Sequence, residues 1–574
     1  MYKSLQEFVE FLDSKGELIR VKEFVDPALE IAEITDRVSK QPGGGKALLF
    51  ENTGTSFPVL TNMMGSRERI VYALGIESFD EISDYFNSLF KELTQERHSL
   101  MDKLKLLPQL KEASGWMPEK HKGDAPCQEI VLYKPELSRL PILQCWPQDG
   151  GRFITLPLVH TKDFKSGTKN LGMYRMQVFT ESTTGMHWHR HKTGARHFAE
   201  CKTNQFPVAV ALGGDPVYTY AATAPLPDGI DEYLLAGFLR DKAVSLVDCL
   251  TQPLRIPADC DFVIEGYIEK NGELVTEGPF GDHTGFYSLA DLYPQMHITC
   301  ISHKKDAIYP ATLVGVPPQE DKYIAYATEK IFLTPIKFAM VPELIDLYLP
   351  EEGVGHNIAV VKIKKSFPGH AIKVAHSLWG AGQMMFNKIM VVVNEDIDIR
   401  NWGKLFDAIS ANYSPHRDTH FSRGPLDVLD HSAPQCGYGG KVMIDATVKY
   451  PEECGNQPSS YENINPASIK AFHFTNKEDD LKGLINILLD PKTDLSCEYL
   501  CLWLWGNNCD PIRDSRFVDG KLIMDGRSKA KGKNTREWPK IAHSSIETIE
   551  SIDKKWPSLG LGDLIESPSR GFLE

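Results

Sequence analysis

Three stretches of this sequence gather side chains that can hold a carboxylate, move a proton or bind a metal. The first is Glu277-Gly-Pro-Phe-Gly-Asp282-His-Thr-Gly-Phe-Tyr287. Three glycines and one proline within nine residues make a tightly turning loop. Such a loop brings two acids and a histidine close together. Near a cation the two carboxylates repel each other while the cation favours ionisation, which can separate their pKa values and leave one protonated as a general acid. A surface turn with polar decoration has the same composition.

The second stretch is His187-Trp188-His189-Arg190-His191-Lys192, followed by His197; four of the 18 histidines fall within eleven residues. Read as a strand, it turns His187, His189 and His191 to one face and Trp188, Arg190 and Lys192 to the other. Such a row binds a transition metal, lines an anion site, or forms a solvated edge strand. The third stretch, Asn170-Leu-Gly-Met-Tyr-Arg175-Met-Gln-Val-Phe179, reads as a turn followed by a strand. Glu181–Gly185 then returns the chain into a hairpin with the His-rich strand, which places Arg175 and the histidines in one sheet region. An arginine on a β surface is otherwise an exposed salt-bridge residue. Glu232 opens a predicted helix over Tyr233–Arg240, a position that suits an acid on dipole grounds alone.

Other patterns carry less. No G-x-x-x-x-G-K-[ST] or H-E-x-x-H motif occurs, and Gly437-Tyr-Gly-Gly-Lys441 lacks the phosphate-loop spacing. Cys497 and Cys501 lie in an apolar segment and read as core. The basic run Arg527–Arg536 reads as a solvated tail segment.

These residues must be positioned by a chain of 574 residues with net charge −14, 42% hydrophobic and 24% charged. The composition is that of a globular protein, and the acidic surplus argues against a nucleic-acid footprint. The longest apolar run, Tyr499–Trp505, is far short of the ~20 residues that span a bilayer. Eleven cysteines without a C-x-x-C pair point to a reducing cytoplasm rather than a disulfide framework. Leu5, Phe8, Val9 and Leu12 predict an amphipathic helix, and Ala47–Phe50 and Pro58–Leu60 predict strands. The Pro/Gly-rich segment Ser114–Pro126 marks a boundary. Up to about residue 316 the signals are mostly β, with strands predicted at Phe206–Leu212, Phe262–Ile268 and Gln295–Ser302. After Pro317–Pro318 helices and strands alternate, with strands at Ile358–Lys362 and Lys388–Val393 and helices at Ala371–Gly380 and Trp402–Ala411.

One internal repeat is visible. Segment 394–418 aligns without gaps, 96 residues on, with 490–514. Asp398, Asn412, Pro415, Arg417, Asp418 and Phe421 meet Asp494, Asn508, Pro511, Arg513, Asp514 and Phe517. After a 16-residue deletion, Lys441–Asp445 meets Lys521–Asp525. The expectation is a duplicated α/β unit; shared Asn-x-x-Pro turn chemistry is the alternative.

Together these residues resemble the UbiD family of reversible, prenylated-FMN-dependent decarboxylases. The resemblance runs from Asp26-Pro-Ala-Leu-Glu-Ile-Ala-Glu-Ile34 to Lys441-Val-Met-Ile-Asp445. It is densest in Asn170–Arg175, Gln205-Phe-Pro207, Asp231–Gly237 and Glu277–Tyr287. It implies Glu277, Arg175 and Asp282 as an acid–arginine–acid triad, with Asp282 where some members carry Glu. It implies Asn170, His191 and Glu232 as ligands of a divalent metal at the cofactor phosphate, with K+ as an additional ion. Oxygen donors with a single imidazole suit Mn(II) or Mg(II) better than zinc. Met173, Tyr174, Arg175, His187, Trp188, His189, Lys192 and Thr193 match the flavin-contacting hairpin, and Lys388 matches a phosphate-contacting lysine. The counterpart of Lys388 in the repeat is Leu484, so the second copy is expected not to bind cofactor. His187 and His189 stand where the ubiquinone-type enzymes carry Arg and Leu, and the chain past about residue 455 is longer than theirs.

The fold so implied is α/β (α+β): an N-terminal α/β segment (1–115), a central split β-barrel flavin-binding domain (116–318) and a C-terminal α/β oligomerisation domain (319–574) carrying the repeat 394–445 / 490–525. The activity implied is decarboxylation of an aromatic hydroxy-acid in quinone biosynthesis, with polyprenyl-hydroxybenzoate and dihydroxynaphthoate both open. Carboxylation or decarboxylation of another phenolic or aryl acid is the alternative. A flavin prenyltransferase is the expected cofactor supplier, and the chain is expected to form dimers or hexamers. Membrane contact is expected to be peripheral at most, with a prenylated substrate. Without the resemblance, His187, His189, His191 and Glu232 read as a metallohydrolase site with Asp282 as base, or the repeat reads as a cofactor-free scaffold. Arg175, Arg190, Lys192 and Arg196 are expected to invert the acidic charge locally, around an anionic cofactor.

Overall fold

The structure, a computed structural model, describes residues 2–94, 114–188, 192–227, 229–454, 470–529 and 536–573. His189, Arg190 and His191 lie outside the described residues. Two compact units form: Met1–Glu81 with Glu92–Ile324 and Ile541–Glu574, and Ile82–Lys91 with Ala325–Lys540.

In the first unit α1 (Leu5–Ser14) buries Leu5, Phe8, Val9 and Leu12, the face that their spacing predicts, and Ser4 caps it by accepting from the Glu7 backbone N–H. Then come β1 (Leu18–Phe24), α2 (Glu30–Ser39), β2 (Ala47–Asn52) and β3 (Val59–Thr61). The three strands lie side by side, and Tyr309–Pro310 is added parallel to β3.

The large sheet is built from β4 (Ile130–Leu132), β5 (Phe153–Ile154), β6 (Leu158–Lys162), β7 (Lys169–Met173), β8 (Met176–Thr180) and β9 (Thr183–Gly185), then β10 (Gln205–Leu212), β11 (Phe262–Glu269) and, after β12 (Val275–Glu277) and β13 (Asp291–Tyr293), β14 (Gln295–His303). Helices α3 (Thr193–Glu200) and α4 (Glu232–Arg240) flank β10 in sequence. Strand order is β5-β8-β9-β14-β11-β10-β6-β7, with β4 paired to β14; β12 and β13 form a separate ribbon. Strand β7 closes one end of this path and β8 lies next to the other, yet only Tyr174 and Arg175 separate them in sequence. Consecutive Cα atoms are ~3.8 Å apart, so the two margins must approach each other. The sheet therefore curls into a half-barrel, and Arg175 sits at its seam.

Two local expectations change. Asn170 lies within β7 rather than in a turn. Strand β9 ends at Gly185, so the hairpin forms but stops before the histidines. His187 and Trp188 are both buried. Trp188 packs against Phe198 and Phe206, while His187 stacks on Tyr293 with centroids 4.3 Å apart.

The chain end also departs from expectation: Ile541–Glu574 belongs with the first unit, not with the rest of 319–574. Arg37 on α2 is fully buried, and its guanidinium donates to Glu33 Oε1 (2.7 Å), Asp553 Oδ1 (2.6 Å) and the Ile565 carbonyl (2.9 Å). A buried cation needs such partners, and here the tail supplies them.

The second unit holds two sheets. The first uses β15 (Leu344–Tyr348), β16 (Ile358–Ile363), β17 (Ile389–Asn394), β18 (Thr419–Pro425) and β19 (Tyr438–Asp445), with α5 (His370–Trp379) and α6 (Trp402–Asn412) between them. The second uses β20 (Lys470–Thr475), β21 (Gly483–Leu488), β22 (Ser515–Val518) and β23 (Lys521–Asp525), with α7 (Glu498–Asn508). The orders β16-β17-β19-β18 and β20-β21-β23-β22 correspond strand for strand. Ile389 pairs with Val442 and Ile485 with Leu522; Phe421 pairs with Val442 and Phe517 with Leu522. The register thus repeats at the offsets read from the sequence. The polar turn repeats too: Arg417 clamps Asp418 as Arg513 clamps Asp514, and Lys449 and Lys529 stand beside them. Lys529 is therefore not part of a solvated run; it is buried and donates to the Asn508, Asp525 and Arg527 carbonyls.

Candidate active site

Arg175 is delivered by the seam and the acidic loop by the β12–β13 ribbon. Its Nε donates to Glu277 Oε1 (2.9 Å) and its Nη2 to Oε2 (3.0 Å), a two-point clamp. Nη1 reaches Asp282 Oδ2, and Nη2 also donates to Ser288 Oγ at 3.0 Å. The Phe280 ring lies under the guanidinium, 4.9 Å from its carbon. Burial opposes ionisation of both acids, but the Arg175 cation outweighs it; Glu277 is lowered to about 2 and Asp282 is held well below the usual carboxylate range. Both acids are thus held in the ionised form, where the sequence left open that one of them is protonated. The reason is that one guanidinium contacts both. Burial, aided by the Arg175 charge, depresses the His187 pKa, so the neutral imidazole donates from Nδ1 to Glu277 Oε2 (3.1 Å).

Further residues hold the loop. Asp149 accepts from the backbone N–H groups of Gly281 (2.8 Å), Trp146 (2.8 Å) and Cys145 (3.1 Å). Gln177 accepts from the Gly278 N–H at 2.7 Å. Ala542 donates its N–H to the Gly285 carbonyl, so the chain end helps fix the loop. Gly281 passes so close to Trp146 that a Cβ there would lie 2.1 Å from its Cδ1. His283 Nδ1 stands 3.1 Å from Asp282 Oδ1. Sequence reasoning missed Asp149, Gln177, Ser288 and Tyr293. Ser288 adjoins the acidic loop and Gln177 lies within the Asn170–Phe179 stretch, whereas Asp149 and Tyr293 lay near no recognisable signal.

Asn170 and Glu232 meet at a second point of the same unit. The Leu171 N–H donates to Glu232 Oε2 at 2.9 Å, and both Asn170 and Glu232 line a cavity of about 370 Å³ with Lys169, His160 and Tyr233. Burial raises Glu232 to about 7, a carboxylate that a bound cation would stabilise in its ionised form. This oxygen donor set fits a hard divalent ion. Met173 ends β7 half-buried, and Tyr174 and Trp188 are buried edge to face, 6.5 Å apart. Trp188 Nε1 is buried without a hydrogen-bond partner among the described residues, a donor that a bound heterocycle can satisfy. Lys192 is the N-cap of α3 and Thr193 its first residue, and the N-terminal end of a helix favours an anion. Among the expected cations, Arg175 is occupied by the two acids and Arg196 is exposed. Lys388 is buried in the second unit, paired with Asp430 (2.8 Å) and Ser432 (2.9 Å).

Three family models match in order: the 3-octaprenyl-4-hydroxybenzoate carboxy-lyase N-terminal domain over 9–88, its Rift-related domain over 119–317 and its C-terminal domain over 322–446. The chain belongs to the UbiD family. It is accordingly a UbiD-type carboxy-lyase, and its relatives bear out the full-length likeness. An uncharacterized protein of Aquifex aeolicus is 47% identical over 455 residues, 79% of this chain and 93% of the relative. One of Helicobacter pylori is 36% identical over 601 residues, covering 96% of each. Among solved UbiD-like structures, the vanillic acid decarboxylase of Sedimentibacter hydroxybenzoicus in closed form has TM-score 0.69 at 28% identity, over 80% of this chain and 95% of that one. The UbiD-class enzyme HmfF of Pelotomaculum thermopropionicum in complex with FMN has TM-score 0.65 at 26% identity, over 81% and 99%. No helix among the described residues is long and apolar enough to cross a membrane.

Proposed function

We propose that this chain is a prenylated-FMN- and divalent-metal-dependent decarboxylase of an aromatic hydroxy-acid, acting in quinone biosynthesis on a polyprenyl-hydroxybenzoate or a dihydroxynaphthoate. The observation that carries this reading is Arg175 held between Glu277 and Asp282 at the sheet seam. Asn170 and Glu232, with His191, are the residues assigned to Mn(II) or Mg(II), and Met173, Tyr174, Trp188, Lys192 and Thr193 are those assigned to the flavin. When bound, the flavin supplies the electron sink for the carbanion left by loss of CO₂, and the metal neutralises the flavin phosphate.

The protein's own residues do the rest. Glu277 and His187 hold the Arg175 fork in one orientation. A substrate carboxylate competes with Asp282 for Nη1, because both are anions seeking the same donor. Once displaced, buried Asp282 loses the cation that kept it ionised; burial then raises its pKa and it takes up a proton. His283, partly exposed and 3.1 Å away, connects Asp282 to solvent protons. Protonated Asp282 then donates to the ring carbon that lost CO₂. Release of CO₂ frees Arg175 to hold Asp282 again.

The test is co-expression with a flavin prenyltransferase, followed by a visible spectrum and a panel of aromatic acids assayed for CO₂ release. A flavin chromophore with turnover of a hydroxylated aryl acid is expected. A colourless, zinc-loaded hydrolase would overturn the reading.

A further inference from the structure

The two copies in the second unit pack on each other reciprocally. Val361 pairs with Val392 and Thr475 with Leu488, which makes Ile358 and Phe472 counterparts. Phe406 of α6 lies against Phe472, with ring centroids 5.1 Å apart. In return, Gly506 of α7 approaches Ile358 so closely that a Cβ there would lie 3.3 Å from its Cδ1. α6 thus lies on the first strand of the second copy, while α7 reaches the start of the first copy's first strand at Ile358 and packs beside the Glu351–Gly353 turn that precedes it. At the opposite end the turn of each copy meets a strand of the other. Asp510 Oδ2 accepts from the Gly440 N–H of the first copy at 2.8 Å, while His416, counterpart of Ile512, stacks on Phe517 of the second at 4.2 Å. Near the middle, Phe421 meets its own counterpart Phe517, with centroids 6.4 Å apart. Contacts returned in kind, with one residue facing its equivalent, are what a twofold isologous interface between subunits produces.

The family's C-terminal domain ends at residue 446, before the second copy begins at Lys470. The vanillic acid decarboxylase and HmfF structures match about four-fifths of this chain while using nearly all of their own length.

We propose that residues 470–529 act as a built-in partner subunit. They occupy a self-complementary face formed by β16, α6 and the start of β19, whose fitting partner is another α/β unit of the same kind. The chain supplies that partner itself, so this face does not join two chains, and any homo-oligomer uses a different surface.

The experiment uses full-length Phe421→Cys, alone and combined with Phe517→Cys, treated with a short bis-maleimide and read by denaturing electrophoresis and peptide mapping against wild type. The double variant is expected to link 421 to 517 within one chain at single-chain mass, and Phe421→Cys alone to give no interchain link above wild type. Interchain 421–421 or 421–517 links, or no 421–517 link in a folded double variant, would overturn the proposal. Gly506→Trp, which pushes α7 off Ile358, adds a second readout: a concentration-dependent increase in sedimenting mass is expected, and an unchanged mass in a folded variant counts against the proposal.

Discussion

Arg175 grips both oxygens of Glu277 through parallel bonds of 2.9 and 3.0 Å, across 102 residues of sequence. The clamp leaves Nη1 to Asp282, the edge for which a substrate carboxylate competes in the proposed mechanism, and from this the behaviour of several variants follows.

Arg175→Lys keeps a positive charge but loses the planar fork. CO₂ release by the holoenzyme is expected to fall at least ~100-fold, since a point charge does not orient both partners. The flavin absorbance should persist. Near-normal turnover would show that the fork is dispensable.

Asp282→Asn cannot deliver a proton. Turnover should drop by about 10³-fold or more while the flavin stays bound, in line with loss of a general acid. Retained activity would remove Asp282 from that role.

Glu277 has a folded pKa lowered to about 2 from 4.5. Its contribution to stability is therefore complete above pH 4.5 and lost as pH falls toward 2, on the order of 3 kcal/mol in all. Thermal melts of wild type and Glu277→Gln between pH 7 and 3 should converge as pH falls. Parallel curves would contradict the assignment.

Glu232→Ala removes the carboxylate among the residues assigned to the metal. Metal content by elemental analysis and flavin content by absorbance should fall together. Loss of flavin with full metal occupancy would separate the two sites.

Gly281→Ala places a Cβ 2.1 Å from Trp146 Cδ1. Overpacking of this kind costs ~1–3 kcal/mol and must shift the loop carrying Asp282. A lower Tm together with reduced kcat is expected, and an unchanged kcat would mean that the loop tolerates displacement.

The sequence by itself determined the local elements and the duplication. The amphipathic spacing of Leu5, Phe8, Val9 and Leu12, the buried run Ile389–Val393 and the glycine-rich acidic loop act over a few residues, where periodicity and turn chemistry suffice. The repeat was legible because its register carried identical residues at constant offset, and Arg417–Asp418 and Arg513–Asp514 form the same clamp. The assignment of Arg175, Glu277 and Asp282 to one cluster came from a family resemblance, which orders residues but does not place them. Only the tertiary structure decided that one guanidinium contacts both acids, and hence that both are ionised, because ionisation depends on a partner more than 100 residues away. It also decided that the histidine run leaves the sheet at Gly185 and that Asp149 and the chain end anchor the loop. Electrostatics and burial are sums over neighbours in space, and neighbours from distant segments exist only once the sheet has curled and brought its margins together at Arg175.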